Sequence, residues 1–289
     1  MLKLKVLVDN NTLIDRYFTA EPGLSFWIES DGKKILFDAG YSDVLINNAR
    51  IMGTDLNGMD IAVLSHGHND HTWGLNHLVQ HFDRTMKTGR PRLIAHPGAF
   101  ERKRCGSLEI GMTLREDVLS EYFNITKCSA PVRITERLLW LGEIPAKDGT
   151  RRTIGKTLID GEWVPDACSD DSALVYEAEA GIVIITGCSH SGICNVIDYA
   201  VKLTGATRIL DVIGGFHLQN ADEEIMKRTV KGLTKAAPET IRPCHCTDLK
   251  AKMKLGASLK VEEVGAGLGT GDTALTAVRL AIAVLVDMV

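Results

Sequence analysis

The chain has 289 residues, a net charge of −4 and enough apolar side chains for one sizeable core, so we expect a single globular domain over residues 1–289. Because the charge is mild, we predict neither a nucleic acid nor a membrane as a partner. Seven irregularly spaced cysteines are typical of reduced thiols, and the start of the chain is too charged for a signal peptide, which together predict a cytoplasmic protein.

The first predicted elements are strands at residues 2–8, 23–30 and 34–40, followed by an amphipathic helix over 41–52. A dense polar motif comes after the next apolar run, and it reads His66-Gly67-His68-Asn69-Asp70-His71. Imidazole and carboxylate groups are the usual zinc ligands, and four of them exceed what one tetrahedral site takes from a single segment. We therefore predict two divalent metal ions, with zinc preferred and manganese or iron as alternatives.

The pattern His-x-His-x-Asp-His resembles the hallmark of the metallo-β-lactamase superfamily. This resemblance implies an α/β fold, a four-layer αββα sandwich, and it assigns His66, His68, Asp70 and His71 as metal ligands. Members also have a strand ending in Asp-x-Gly before the motif. The resemblance therefore implies that Asp38 supports the metal loop by orienting a ligand histidine.

The stretch from about residue 100 to 168 has a looser pattern and is predicted as a lid-like insertion that covers the site. It contains a basic loop from Lys147 to Arg152. Arg151 or Arg152 is a candidate for binding an anionic substrate group, with a solvated charge pair as the alternative.

A hairpin is predicted from residue 170, and its second strand leads into Gly187-Cys188-Ser189-His190. Relatives have Gly-Asp here, and that Asp bridges two metals. Some lactamases have Gly-Cys instead, and Gly187-Cys188 resembles that variant, which implies that Cys188 is a ligand. The usual histidine before the hairpin is missing, and Asp170 and Asp171 stand in its place. We expect His190 to compensate as a ligand, or to serve as the acid for the leaving group.

Helices are predicted over 195–204 and 221–236, and two further histidines follow strands. His217 is on a loop where sites are commonly built, which makes it a candidate for substrate binding. His245 occupies the position of the superfamily's last metal histidine. The apolar tail, residues 273–289, is predicted as a helix too short to span a bilayer, packed on the body or on a second copy in a homodimer.

Three motifs, at residues 187–195, 214–218 and 243–247, resemble one branch of the superfamily, named after an archaeal dihydropterin–ribofuranosylaminobenzene phosphate synthase. In a first alternative, a metal-bound hydroxide oriented by Asp70 hydrolyses an ester, lactone or phosphoester of a small molecule. In a second, a synthase joins dihydropterin pyrophosphate to an arylamine ribose phosphate, and Phe100, Trp163 and Phe216 are the candidates for stacking on the pterin. The third alternative is a non-catalytic ligand-binding protein, which a complete ligand set disfavours.

Overall fold

The N-terminal half of the chain forms a first sheet of six strands. The computed structural model describes residues 1–147 and 151–269. In order across this sheet the strands are β1 (Lys3–Val8), β2 (Ser25–Ser30), β3 (Lys33–Phe37), β4 (Ile61–Val63), β5 (Arg92–Ala95) and β8 (Asn124–Lys127). Strands β1 to β3 are antiparallel neighbours, whereas β3, β4, β5 and β8 run parallel. The three strands predicted before the polar motif are thus confirmed.

The C-terminal half supplies most of a second sheet, also of six strands. In order across the sheet these are β16 (Ile241–Cys244), β15 (Ile209–Gly215), β14 (Gly181–Thr186), β13 (Ala173–Ala178), β10 (Leu138–Trp140) and β9 (Val132–Arg133). Strands β14, β15 and β16 run parallel, and β13 pairs antiparallel with β14 over its full length. This pairing confirms the predicted hairpin.

The stretch predicted as a lid-like insertion divides between three sheets. Strand β8 completes the first sheet, and β9 and β10 belong to the second. Its other strands form a small separate sheet with the order β12 (Glu162–Pro165), β11 (Lys156–Ile159), β6 (Lys103–Cys105) and β7 (Leu108–Glu109). The part outside the two large sheets is therefore shorter than residues 100–168, and its action as a lid stays a prediction.

Seven α-helices are described, and α1, α5 and α6 follow the predicted positions. They are α1 (Val44–Ile51), α2 (Asn69–Thr72), α3 (Gly74–Thr85), α4 (Glu116–Tyr122), α5 (Ile193–Thr204), α6 (Glu223–Ala236) and α7 (Leu249–Gly256). Helix α6 begins where the Asp222 carboxylate accepts a hydrogen bond from the amide of Ile225 at 2.8 Å. Within the described ranges no helix is both long and apolar enough to cross a bilayer. The predicted helix 273–289 lies outside the described residues.

Three hydrophobic clusters separate four layers. One cluster joins α1 and α3 to the first sheet, a second fills the space between the two sheets, and a third joins the second sheet to α5, α6 and α7. Strand β14 shows how the layers form, because Val183 and Ile185 face the other sheet while Ile182 and Ile184 face the helices. The structure therefore confirms the predicted four-layer αββα sandwich.

Candidate metal centre

The polar motif lies where β4 of the first sheet ends. Asp70 and His71 lie on the short helix α2. Gly67 lets the motif pack closely against the backbone at Ala99, because a Cβ atom there would lie 2.4 Å from the carbonyl oxygen of Ala99. Its amide also donates a hydrogen bond to Asp170 at 2.8 Å. The sequence places four candidate ligands here, and close backbone packing fixes their directions.

A first cluster consists of His66, His68 and His190, whose ligand nitrogens all lie within 4.8 Å of one another. His66 Nε2 is 3.0 Å from His68 Nδ1 and 3.2 Å from His190 Nε2. All three rings are buried. Burial, together with the neighbouring histidines, lowers the pKa of His66 and of His190 well below the usual value, so both rings are neutral at pH 7.

A second cluster consists of Asp70, His71, Cys188 and His245, again within 4.8 Å of one another. His71 Nε2 is 3.2 Å from Cys188 Sγ and 3.1 Å from His245 Nε2. The Asp70 carboxylate is 3.2 Å from His245 Nε2. Burial lowers the pKa of His245, but Asp70 and Cys246 outweigh burial and raise it to about 9. A metal ion bound here would replace that proton.

The structure brings the seven predicted ligands together in these two clusters, and the donor atoms fit a divalent metal ion. Asp38 accepts a hydrogen bond from His71 Nδ1 at 2.7 Å, which leaves a lone pair on His71 Nε2 directed at the second cluster. His68 Nε2 is buried without a hydrogen-bond partner among the described residues. Converging imidazole, thiol and carboxylate donors are the set that zinc prefers.

The predicted support from Asp38 is present as a hydrogen-bond network. Besides His71, the Asp38 carboxylate accepts hydrogen bonds from the amide and the hydroxyl of Ser65, both at 2.7 Å. Gly187 lies against this network, because a Cβ atom there would be 2.1 Å from Ser65 Oγ. The ring of His245 has its own partner, because Asn10 Oδ1 is 2.9 Å from His245 Nδ1. Such partners orient the ring nitrogens that face a metal.

His217 lies beside the clusters. Its ring centroid is 4.3 Å from that of His190, and its ligand atom lies within 4.8 Å of those of Cys188 and His190. Asp38, Ser189, His217 and His245 all have φ between 50° and 61°. L-residues seldom adopt this conformation, and concentrated backbone strain is typical of functional sites.

Asp170 and Asp171 stand where relatives have a histidine. Both bind backbone amides. Asp170 accepts from the amide of Gly67, and Asp171 accepts from the amide of Ser191 at 2.8 Å. His190 joins the first cluster, as the hypothesis of compensation requires.

Sequence reasoning missed four supporting residues. Asp166 Oδ2 lies 3.6 Å from His68 Nε2 and 2.8 Å from the ammonium of Lys103. The Asp9 carboxylate accepts a hydrogen bond from the amide of His245 at 2.9 Å, and the neighbouring Asn10 contacts the ring of the same histidine. No local motif marks these residues, because their partners are distant in the chain. The pair Asp9-Asn10 at the end of the first predicted strand was the one available signal.

Comparison with known proteins agrees with this site. Residues 18–199 match the family model of the metallo-beta-lactamase superfamily. The 7,8-dihydropterin-6-methyl-4-(beta-D-ribofuranosyl)-aminobenzene-5'-phosphate synthase of Methanocaldococcus jannaschii is 32% identical over 267 residues, which cover 87% of this chain and 89% of the relative. An uncharacterized protein of the same organism is 34% identical over 256 residues, covering 87% of this chain and 93% of that protein.

A solved structure is similar over almost the whole fold. The crystal structure of Tm1679, a metal-dependent hydrolase of the beta-lactamase superfamily, superposes with a TM-score of 0.82 and 28% identity, covering 95% of this chain and all of the other. The family model spans more than half of the described chain, and its characteristic ligands converge in space. The chain therefore belongs to the metallo-β-lactamase superfamily.

Proposed function

We propose that this protein is a metal-dependent hydrolase that uses two divalent metal ions, zinc preferred, on an ester, lactone or phosphoester of a small molecule. The observation that carries the proposal is the adjacency of two ligand clusters. The rings of His66 and His71, one from each cluster, have centroids 4.3 Å apart. Two metals held side by side are suited to stabilising both the attacking and the leaving oxygen.

We assign each candidate residue a role according to its position in the site. His66, His68 and His190 would hold one ion, and the second cluster would hold the other. When bound, such ions lower the pKa of water and stabilise negative charge that develops on the substrate. The Asp70 side chain is 30% exposed, whereas those of His71 and His245 are buried, so its carboxylate is accessible to water and would orient the attacking molecule. We assign His217 to substrate contact, because its ring lies beside that of His190.

His190 has two candidate roles, as a ligand and as the acid for the leaving group. Its Nε2 faces His66 within the first cluster, which supports ligation. The variant His190→Ala separates the roles, because a ligand's loss removes metal whereas an acid's loss removes turnover with metal retained. Metal content by elemental analysis, measured beside turnover, decides between them.

The direct test is hydrolysis by protein reconstituted with zinc, manganese or iron. We expect metal-dependent cleavage of activated phosphodiesters or lactones, and a loss of about 100-fold or more in kcat for Asp70→Asn, since an orienting carboxylate acts in the transition state. The control is Asp83→Asn, a change at an exposed residue of α3 that belongs to neither cluster. No turnover in any metal form, with both ions bound, would favour the non-catalytic alternative.

A synthase is the second candidate, because the Methanocaldococcus jannaschii relative at 32% identity is named as one. A pterin substrate favours an aromatic stacking partner. Of the three predicted candidates, Trp163 is engaged by the guanidinium of Arg104 at 4.0 Å and Phe100 lies under Lys127 at 5.5 Å. Phe216 remains, lining a cavity beside His217. The aromatic set thus supports the synthase less than the metal clusters support a hydrolase.

The two functions predict different products. The protein is offered dihydropterin pyrophosphate together with an arylamine ribose phosphate, and coupled product is followed by chromatography. We expect slow hydrolysis of generic esters and little coupling. Coupling faster than ester hydrolysis would overturn the hydrolase in favour of the synthase.

A further inference from the structure

A cavity of about 370 Å³ lies between helices α5 and α6, next to the metal centre. Its wall includes Ser189 and His217 from the loops that also carry the metal clusters, and Arg228 and Lys235 from α6. Arg152, from the basic loop noted in the sequence, closes one side. The cavity therefore joins the candidate metal centre to a group of cationic side chains.

The charge of this cavity is strongly positive. Among its described lining residues, the cations are Lys147, Arg152, Arg228 and Lys235, and the acid is Asp198. Asp198 pairs with Lys147 at 2.7 Å. The lining thus holds three cations beyond that pair, in a concave site with walls that focus their field.

The backbone of Arg152 is held by a hydrogen bond, but its guanidinium has a donor without a partner in the described part of the chain. Its Nη2 is buried and has no hydrogen-bond partner among the described residues, which is costly for a guanidinium nitrogen. Burial lowers the pKa of Arg152 and outweighs the opposite effect of Asp222 and Cys246, while nearby Arg228 lowers it further. A buried donor without a partner, next to a second guanidinium, indicates a site for an anion.

The cavity is connected to the clusters through backbone and ring contacts. The amide of Arg152 donates to the carbonyl oxygen of His190 at 2.9 Å, so Arg152 is attached through its backbone to a candidate ligand. The ring of His217 contacts that of His190 and also lines the cavity. A molecule bound between α5 and α6 would therefore extend past His217 towards the metal centre.

We propose that this cavity binds the phosphate group of a phosphorylated small-molecule substrate through Arg152 and Arg228, with the bond to be cleaved directed past His217 at the metal centre. A phosphate dianion matches several cations better than a singly charged carboxylate does, and the guanidinium fork pairs with two phosphate oxygens. Helix α5 adds backbone N–H groups, since its N-cap is Gly192 and offers no side chain. The inference rests on the proposed hydrolase for the cleavage reaction, whereas phosphate binding in the cavity does not depend on that function.

The test measures binding of inorganic phosphate to the metal-loaded full chain by isothermal titration calorimetry. We expect Arg152→Gln/Arg228→Gln to weaken phosphate affinity about tenfold or more, because two charge-assisted contacts are lost. The matched control is Lys227→Gln/Lys231→Gln, which removes two positive charges from α6 at residues outside the cavity lining. It should change affinity less than twofold, and metal content must be equal in all three proteins.

The variant His245→Ala distinguishes phosphate bound in the cavity from phosphate bound at the metals. It disrupts the second cluster, and phosphate bound in the cavity should keep its arginine-dependent affinity. If the double variant does not fold, Arg228→Gln alone, a change at an exposed residue of the cavity wall, should weaken binding at least threefold. Unchanged affinity in the arginine variants, or no saturable binding by the wild type, would overturn the subsite.

The outcomes also separate this inference from the proposed hydrolase. Arginine-dependent phosphate binding in a protein that cleaves no ester would retain the subsite and overturn the hydrolase. Ester cleavage with affinity that does not depend on the arginines would retain the hydrolase and overturn the subsite. Acetate in place of phosphate serves as the carboxylate arm, and equal affinity for both anions would contradict the selectivity for phosphate.

Discussion

Asp38 shows how one residue sets the direction of a candidate ligand. It sits at φ 59° directly after β3, a conformation that Asp and Asn tolerate better than other side chains. Its carboxylate accepts three hydrogen bonds, two from Ser65 and one from His71 Nδ1. Because Nδ1 keeps its proton, His71 presents a lone pair at Nε2 to the second cluster.

The substitution Asp38→Asn should weaken metal binding at the second cluster by about 10–100-fold, since an amide cannot accept all three hydrogen bonds and lets the His71 ring turn. Residual metal after dialysis against graded chelator measures this. The control is Asp31→Asn, which makes the same change at another residue of positive φ, in the β2–β3 turn. Equal metal retention in both variants would contradict the orienting role.

The seven candidate ligands could be predicted because each follows a strand or belongs to the dense motif, and the resemblance assigned the scattered ones. Asp166 and Lys103 could not be predicted. They are 63 residues apart in the chain and meet only through the small sheet. A buried ion pair between distant residues leaves no periodic signal, whereas ligands at strand ends do.

At the scale of elements, the small sheet is attached to the metal loop by a buried cation. Lys103 on β6 is 2% exposed, and its ammonium contacts Asp166 at 2.8 Å and Asp170 at 3.3 Å. Asp170 in turn holds the amide of Gly67. The arrangement links a strand of the predicted insertion to the backbone between two candidate metal ligands.

Replacing Lys103 by Met should destabilise the protein by about 3 kcal/mol, because two buried carboxylates lose their cation. Burial lowers the pKa of Lys103, but Asp170 and Asp166 outweigh burial and raise it. Because the pKa of Lys103 is raised in the folded state, its contribution to stability is complete below the unfolded-state pKa of about 10.4 and is lost as the pH rises through the folded-state pKa. Urea unfolding at pH 7 therefore measures the full contribution.

The control is Lys156→Met, an exposed lysine on β11 of the same small sheet. It should change the free energy of unfolding by less than about 0.5 kcal/mol. Equal destabilisation by the two substitutions would show that the buried triad contributes no more than a surface lysine.

Element prediction succeeded where periodicity was clear and failed where pairing decided the structure. Strand β14 is apolar at successive positions because both of its faces are covered, so the sequence marks it directly. The range 100–168 was assigned to one insertion, yet β8, β9 and β10 join the large sheets. These strands have two to four residues each, which is too short for a pattern to show which sheet they join.

At the scale of the whole molecule, the candidate metal centre joins the two sheets. His66, His68, Asp70 and His71 follow β4 of the first sheet, while Cys188, His190 and His245 follow β14 and β16 of the second. Each cluster therefore takes ligands from both halves of the sandwich. Metal bound to the folded chain alone should then stabilise the packing of one sheet on the other.

This coupling predicts that chelator lowers the unfolding temperature and that added zinc raises it with concentration. An ion at 100 times its dissociation constant adds about 2.7 kcal/mol, and two ions add their increments when both sites are filled. His245→Ala and His190→Ala should each retain roughly one increment and one equivalent of metal, because each removes a ligand from a different cluster. His77→Ala, on α3 and outside both clusters, should behave like the wild type.

Calorimetric scans at several zinc concentrations, with elemental analysis of the same samples, measure both the unfolding temperature and the metal content. An unfolding temperature that does not respond to zinc in the wild type would mean that the metals do not hold the two sheets together. Two equivalents retained in each single variant, or one retained in the double variant His190→Ala/His245→Ala, would place the metal elsewhere.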